Sequence, residues 1–157
     1  MAKWHKIVPF FLLLALLACT EKIEIRIPPR PVYLELDIDF QDKALKAIQA
    51  HKIYTEKDTD QEGERTGFGG VLVFHGLSSN GSDTFYAFDA ACPHEASPNV
   101  RVAIDESAVY AICPKCGSKF EVLNGFGNPV AGPCAQEKQG LKRYKVSVER
   151  NKIYIFN

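Results

Sequence analysis

Two short pairs of candidate ligand residues constrain this chain more than any other feature of its sequence. The first pair is Cys92-Pro-His94 and the second is Cys113-Pro-Lys-Cys116, with eighteen residues between His94 and Cys113. Each pair follows a segment with the composition of a β-strand and precedes turn-forming residues. Two strand-end loops can therefore face each other and present thiol and imidazole groups to one site. Such groups suit iron–sulfur clusters and zinc, and they do not suit magnesium or calcium.

The rest of the chain predicts an all-β domain. Residues 32–40 alternate apolar and polar side chains as a half-buried strand does. Residues 42–51 have helical composition and predict one short N-terminal helix, and residues 61–66 are predicted to be a loop. Further strands are predicted at residues 70–77, 84–89, 100–104, 108–112, 119–123, 141–149 and 152–156. No helical pattern alternates with these strands, so small antiparallel sheets are expected and a parallel α/β sheet is not.

The ligand pairs resemble those of Rieske domains, which hold a [2Fe–2S] cluster. That family carries C-x-H and, after a variable loop, C-P-x-H-G-S followed two residues later by an aromatic residue. Here the second motif reads Cys113-Pro-Lys-Cys116-Gly-Ser-Lys-Phe120. Residues 128–133 are similar to the family's Pro loop, which covers the cluster. The resemblance is strongest over residues 67–157.

The resemblance implies a ligand set. It implies that Cys92 and Cys113 hold the inner iron, while His94 and Cys116 hold the outer one. Ser118 matches a serine that donates to a bridging sulfide in high-potential Rieske proteins, and Pro133 ends the Pro loop. The implied function is one-electron transfer with a partner protein. A Rieske oxygenase would need a further catalytic domain, so a carrier is expected here.

Cys116 departs from the Rieske pattern, since it stands where the family has its second histidine. Exchanging a neutral imidazole for a thiolate adds negative charge, which makes the addition of an electron harder. Sites with two histidines have potentials of roughly −150 to +300 mV, and plant-type sites with four cysteines lie near about −400 mV. A site with three cysteines and one histidine is therefore expected to fall between them, at low potential.

The N-terminus predicts export. Lys3 and Lys6 precede an apolar run over residues 7–18, which is typical of a secretory signal peptide. The run ends Leu-Leu-Ala18-Cys19 and resembles the lipobox of bacterial lipoproteins, which implies cleavage after Ala18 and lipidation of Cys19. The predicted organisation is a signal peptide at 1–18, a Pro-rich tether at 19–31 and a domain at 32–157. The expected location is the exported side of a membrane in the bacterial cell envelope.

Two other roles of the cysteines stay open. The same residues could hold structural zinc, or an exported domain could consume them in a disulfide. Either would leave a degenerate Rieske scaffold that serves as a partner-binding module. Cys134 is the odd thiol, and a small buried filler residue is favoured over a neighbour of the cluster sulfurs. Lys plus Arg and Asp plus Glu number 19 each, so no basic surplus indicates binding to nucleic acid.

Overall fold

The computed structural model describes residues 26–80 and 83–157. The predicted signal peptide and the predicted lipidation site at Cys19 lie outside these residues, and both stay predictions. Within the described part of the chain, no helix has the length and apolar character that a membrane crossing requires.

The described residues form two antiparallel sheets, as the all-β prediction requires. The strands are β1 (Val32–Asp37), β2 (His51–Tyr54), β3 (Arg65–Thr66), β4 (Val71–Leu77), β5 (Asp83–Asp89), β6 (Ala103–Ile104), β7 (Tyr110–Ile112), β8 (Lys119–Glu121), β9 (Pro129–Ala131), β10 (Arg143–Glu149) and β11 (Lys152–Phe156). The larger sheet, here called the framework sheet, has the order β2-β4-β5-β10-β11-β1-β3. The smaller sheet, here called the site sheet, has the order β6-β7-β8-β9.

Strands β4 and β5 divide the interior into two cores, because successive side chains of a strand point to opposite faces. One face of these strands carries Leu72, Phe74, Tyr86 and Phe88, and this face joins the core beside the site sheet. The other face carries Val71, Val73, Phe85 and Ala87, which pack with strands β1 and β11. The first is called the site core and the second the framework core. The two cores therefore share the β4–β5 hairpin as their dividing wall.

The N-terminal helix is shorter than predicted. Only residues Lys43–Lys46 are helical, as a single 3-10 turn that buries Leu45. The chain then leaves the helix through Gln49, whose φ is 68°. Residues His51–Tyr54 pair with β4 as an edge strand, so the end of the predicted helix is wrong. Edge pairing to an existing strand outweighs the weak helical preference of a short segment.

Residues 26–31, predicted to belong to the tether, lie against the domain. Ile27 is 2% exposed. Gly67 donates its backbone N–H to the carbonyl of Pro31 at 3.1 Å, and Lys142 Nζ donates to the carbonyl of Pro28 at 3.0 Å. The packed part of the chain thus includes residues that precede β1.

Candidate metal centre

A buried carboxylate fixes the backbone just before the first ligand pair. Asp89 ends β5 and is fully buried. It accepts hydrogen bonds from the N–H groups of Phe68 (3.1 Å), Gly69 (3.0 Å) and Ala91 (2.9 Å), and from the hydroxyl of Tyr144 (2.7 Å). A Cβ on Gly69 would lie 2.5 Å from Cβ of Ala91, so only glycine allows this approach. These hydrogen bonds to Asp89 fix the backbone position from which Cys92, three residues later, reaches the site.

The second ligand pair lies in a tight turn between β7 and β8. Cys113 donates its N–H to the carbonyl of Ser118 at 2.9 Å, and Gly117 donates to the carbonyl of Cys113 at 3.0 Å. Gly117 has a φ of 71°, in the left-handed region that favours glycine. The turn brings Cys116 and Ser118 to the same side as Cys113.

Three of the four predicted ligands meet. The Sγ atoms of Cys92, Cys113 and Cys116 all lie within 4.8 Å of one another. The Cys92 and Cys116 sulfurs are 3.6 Å apart. Cys92 and Cys113 are fully buried, whereas Cys116 is partly exposed, and all three are free thiols. Residues from loops 24 positions apart therefore form one cluster of thiols.

Ser118 contacts this cluster. Its Oγ accepts the backbone N–H of Cys134 at 3.0 Å and lies 3.1 Å from the Cys116 sulfur. Burial raises the pKa of Cys116, but hydrogen bonds with the side chain and backbone of Ser118, together with those to the Cys113 and Cys92 thiols, outweigh burial and hold that pKa below its ordinary value. Burial raises the pKa of Cys92 far above its ordinary value. Cys116 is therefore the thiol of this pair that becomes a thiolate more readily.

His94 is not among the grouped ligands. Its Nδ1 lies 3.0 Å from Oε1 of Glu137, and Oε2 of the same carboxylate accepts a hydrogen bond from Arg26 at 2.9 Å. Because a carboxylate accepts, Nδ1 carries a proton, and in the neutral form of the ring the lone pair is then on Nε2. The His94 side chain is 34% exposed. Glu137 and Arg26 were not anticipated from the sequence, which carries no motif that marks them.

Pro133 and Cys134 lie in the loop that packs on Ser118. Pro133 is the first residue of the short helix α1 (Pro133–Gln136), and its carbonyl accepts the N–H of Glu137 at 3.0 Å. Cys134 is fully buried, and its sulfur is 4.0 Å from that of Cys92. Gly132, with a φ of 78°, allows this loop to pack on Ser118, since a Cβ there would lie 2.7 Å from the Ser118 Cα.

The donor set fits soft metals and iron–sulfur clusters alike. A tetrahedral ion with metal–sulfur bonds of about 2.3 Å places its sulfurs about 3.8 Å apart. The observed 3.6 Å between Cys92 and Cys116 is close to that spacing. Ligands of two different irons lie farther apart than ligands of one ion. The donor chemistry therefore accommodates a cluster, while the sulfur spacing matches a single ion.

No protein-family model matches the chain, and no curated protein matches it. Among solved structures, it is similar to a plasma-membrane Rieske protein from the cyanobacterium Synechocystis, with 20% identity, a TM-score of 0.48, and coverage of 78% of this chain and 97% of that one. It is also similar to the ferredoxin of carbazole 1,9a-dioxygenase from Nocardioides aromaticivorans, with 19% identity, a TM-score of 0.45, and coverage of 81% and 95%. A chain from the complex of reduced oxygenase and oxidized ferredoxin in carbazole 1,9a-dioxygenase has 19% identity, a TM-score of 0.48, and coverage of 81% and 94%.

Proposed function

We propose that this chain is an exported, membrane-anchored [2Fe–2S] protein that transfers single electrons at low potential. The observation that carries the proposal is the convergence of the thiols of both sequence motifs into one cluster. Convergence of Cys92 with residues more than twenty positions away is what a shared cofactor requires. The Rieske-like order of the motifs then favours an iron–sulfur cluster over other soft-metal cofactors.

The proposed ligands are Cys92 and Cys113 for the inner iron and His94 and Cys116 for the outer one. When bound, the cluster supplies a one-electron couple whose potential depends on ligand charge, hydrogen bonds to sulfur and exposure. The chain supplies the thiolates and the Ser118 contact to the Cys116 sulfur. His94 must leave Glu137 if it is to bind iron through Nδ1, or it keeps that contact and presents Nε2.

The side of the site that carries His94 is the proposed face for the redox partner protein. The His94 side chain is 34% exposed, while Cys92 and Cys113 are fully buried. An electron that leaves through the imidazole avoids the apolar site core. The partner would therefore dock over residues 94–95 and 115–116, where the polar side chains of Glu95 and Lys115 form an ion pair.

Metal and sulfide content tests the proposal. The full chain is purified without air, and iron, acid-labile sulfide and zinc are measured per chain. Two irons and two sulfides per chain with a brown colour are expected. Stoichiometric zinc with no sulfide would contradict the electron-carrier function.

Substitution of Cys116 tests the low potential. The change Cys116→His exchanges a thiolate for an imidazole, and the midpoint potential is expected to rise toward the roughly −150 to +300 mV of two-histidine sites. The change Cys116→Ser should impair cluster retention. His94→Cys should retain the cluster at a lower potential. A wild-type midpoint above zero millivolts would contradict the proposal.

The membrane anchor is tested separately. Cys19 is the proposed lipidation site, so Cys19→Ala should abolish the attachment of fatty acid to the chain. Metabolic labelling with a fatty acid should mark the wild type and not the variant. Equal fatty-acid labelling of the wild type and of Cys19→Ala would contradict lipidation at this residue.

A second candidate function is favoured by the spacing of the sulfurs. The sulfurs of Cys92, Cys113 and Cys116 lie within 4.8 Å of one another, and the 3.6 Å between Cys92 and Cys116 is close to the spacing of two ligands of one ion. This spacing suits structural zinc in a degenerate scaffold that binds a partner. Such a protein would be colourless and would contain zinc without sulfide. The analysis of metal and sulfide content separates the two functions directly.

A further inference from the structure

We infer that the cluster-free protein binds a single thiophilic ion such as Zn²⁺ through four thiols, with Cys134 as the fourth ligand in place of His94. The inference rests on the second candidate function and extends it, since it names the ligand set and excludes the histidine. A three-cysteine, one-histidine site is what the ligand motifs alone would give.

The sulfur spacing supports a four-thiol site. Cys92 lies between two other thiols, with its Sγ 3.6 Å from Cys116 and 4.0 Å from Cys134. These values lie on either side of the roughly 3.8 Å expected between sulfurs of one tetrahedral ion. Cys113 lies within 4.8 Å of both Cys92 and Cys116, and the Cys134 sulfur lies outside this group of three.

The surroundings of Cys134 suit a ligand. Its backbone N–H is held by Ser118 Oγ, the same atom that lies 3.1 Å from the Cys116 sulfur. Ser118 therefore ties the backbone of Cys134 to the loop that carries Cys113 and Cys116. Because the Cys134 sulfur lies outside the group of the other three thiols, the proposed site requires the Cys134 side chain to rotate toward the ion that they hold.

Backbone donors offset the negative charge of such a site. Four thiolates around a divalent ion carry a net charge of −2. The N–H of Glu95 donates to the Cys92 sulfur, and the N–H of Ser118 donates to the Cys116 sulfur. Hydrogen bonds of this kind stabilise metal-bound thiolates.

His94 is held away from the thiols by a chain of polar contacts. Glu137 accepts from His94 Nδ1 through one oxygen and from Arg26 through the other. To bind the ion, the His94 ring would have to break its contact with Glu137 or rotate about it. The Cys134 sulfur, in contrast, already contacts the Cys92 sulfur. The histidine is therefore the more costly fourth ligand for a single ion.

Cobalt titration of the reduced, metal-free full chain tests the inference. The intensity of sulfur-to-cobalt charge-transfer absorption reports how many thiolates bind Co²⁺, and competition with Zn²⁺ then gives the affinity for zinc. Four thiolates are expected for the wild type. Loss of an outer-shell partner costs about 10–100-fold in affinity, so Cys134→Ala should weaken zinc binding by at least about a hundredfold and leave three thiolates.

His94→Ala is the matched variant. It should retain four thiolates and bind zinc within about threefold of the wild type, because the ring contributes no outer-shell contact to the ion. If His94→Ala lowers zinc affinity while Cys134→Ala leaves affinity and thiolate count unchanged, the inference is wrong. The cadmium-113 chemical shift of the Cd²⁺-loaded wild type counts thiolates without any variant, and a three-sulfur shift would also overturn the inference.

Iron and sulfide reconstitution of the same variants keeps this result separate from the proposed cluster. Cys134→Ala should keep a [2Fe–2S] cluster and lose tight zinc binding, whereas His94→Ala should do the reverse. Absence of a cluster in every protein contradicts only the electron-carrier function. A zinc affinity that does not respond to Cys134 contradicts only the four-thiol site.

Discussion

The framework core and the site core differ in what fills them. The buried apolar residues of the framework core are aliphatic and aromatic, and they include Leu34, Leu36, Ile153 and Ile155. The site core packs Phe74, Phe88 and Phe120 around thiols, with Cys92, Cys113 and Cys134 all fully buried. Hydrocarbon burial stabilises the first core without any cofactor. The site core also depends on the metal or cluster that binds its sulfurs. Removal of that group should therefore destabilise the site core and leave the framework core intact.

Asp89 joins the two regions, and its removal has the largest expected effect. Asp89→Ala leaves three backbone donors and the Tyr144 hydroxyl without their acceptor in a buried position. Each unsatisfied buried group costs roughly 1–3 kcal/mol. We expect the free energy of unfolding to fall by about 4 kcal/mol, as measured by urea denaturation.

Asp39→Ala is the matched control for this substitution. Asp39 also lies in the framework half of the molecule, but its side chain is 47% exposed and pairs with Lys46, which is itself exposed. Its loss should change the unfolding free energy by no more than about 0.5 kcal/mol. Equal losses for both variants would show that the Asp89 contacts do not hold the two regions together.

Metal removal should act on one region only. A ligand present at about one hundred times its Kd stabilises the folded protein by about 2.7 kcal/mol. Reduction and chelation should therefore lower the hydrogen-exchange protection of the amides in β7 and β8 by about a hundredfold. The amides of β10 and β11 should keep their protection. Equal losses in both sheets would contradict the view that the framework core stands without metal.

The same contrast explains which features the sequence predicted. Strands β4 and β11 were found because a buried apolar run and an alternating pattern are local properties. The edge strand β2 (His51–Tyr54) was missed because its extended form depends on pairing with β4, which local composition does not encode. Four ligands were predicted to meet from the two motifs; the three cysteines do, and His94 is not among them. The proximity of Cys134 to a ligand sulfur was the less favoured of the two interpretations of that residue, and its sulfur lies 4.0 Å from that of Cys92. The contact of Glu137 with His94 was not predictable, since it depends on how α1 packs against the first ligand loop.

Alkaline pH should destabilise the framework region. Burial and then a hydrogen bond to a carboxylate raise the pKa of Tyr54 (beside Asp42) and of Tyr144 (beside Asp89) far above 10. The stability from each raised pKa is fully present below the unfolded value of about 10 and is lost as pH rises above it. Each tyrosine should lower the unfolding free energy by about 1.4 kcal/mol per pH unit in that range.

Phenylalanine variants test this pH dependence. Above about pH 10, Tyr54→Phe and Tyr144→Phe should each make the unfolding free energy fall less steeply with pH. The expected reduction in slope is about 1.4 kcal/mol per pH unit, which corresponds to one proton. Tyr33→Phe, at a side chain that is 44% exposed, is the control and should leave the slope unchanged. A slope that all three substitutions leave intact would assign alkaline unfolding to other groups.

The contact between residue 26 and the site gives the smallest expected effect. Arg26 and Glu137 form a partly exposed ion pair at 2.9 Å, with side chains 43% and 28% exposed. Such pairs contribute roughly 0.2–1 kcal/mol, so a double-mutant cycle of Arg26→Ala and Glu137→Gln should give a coupling energy within that range. The cycle isolates the pair because Glu137→Gln keeps the volume of the side chain. A coupling well above 1 kcal/mol would mean that the segment before β1 is part of the site region, and that its position depends on the same carboxylate that holds His94.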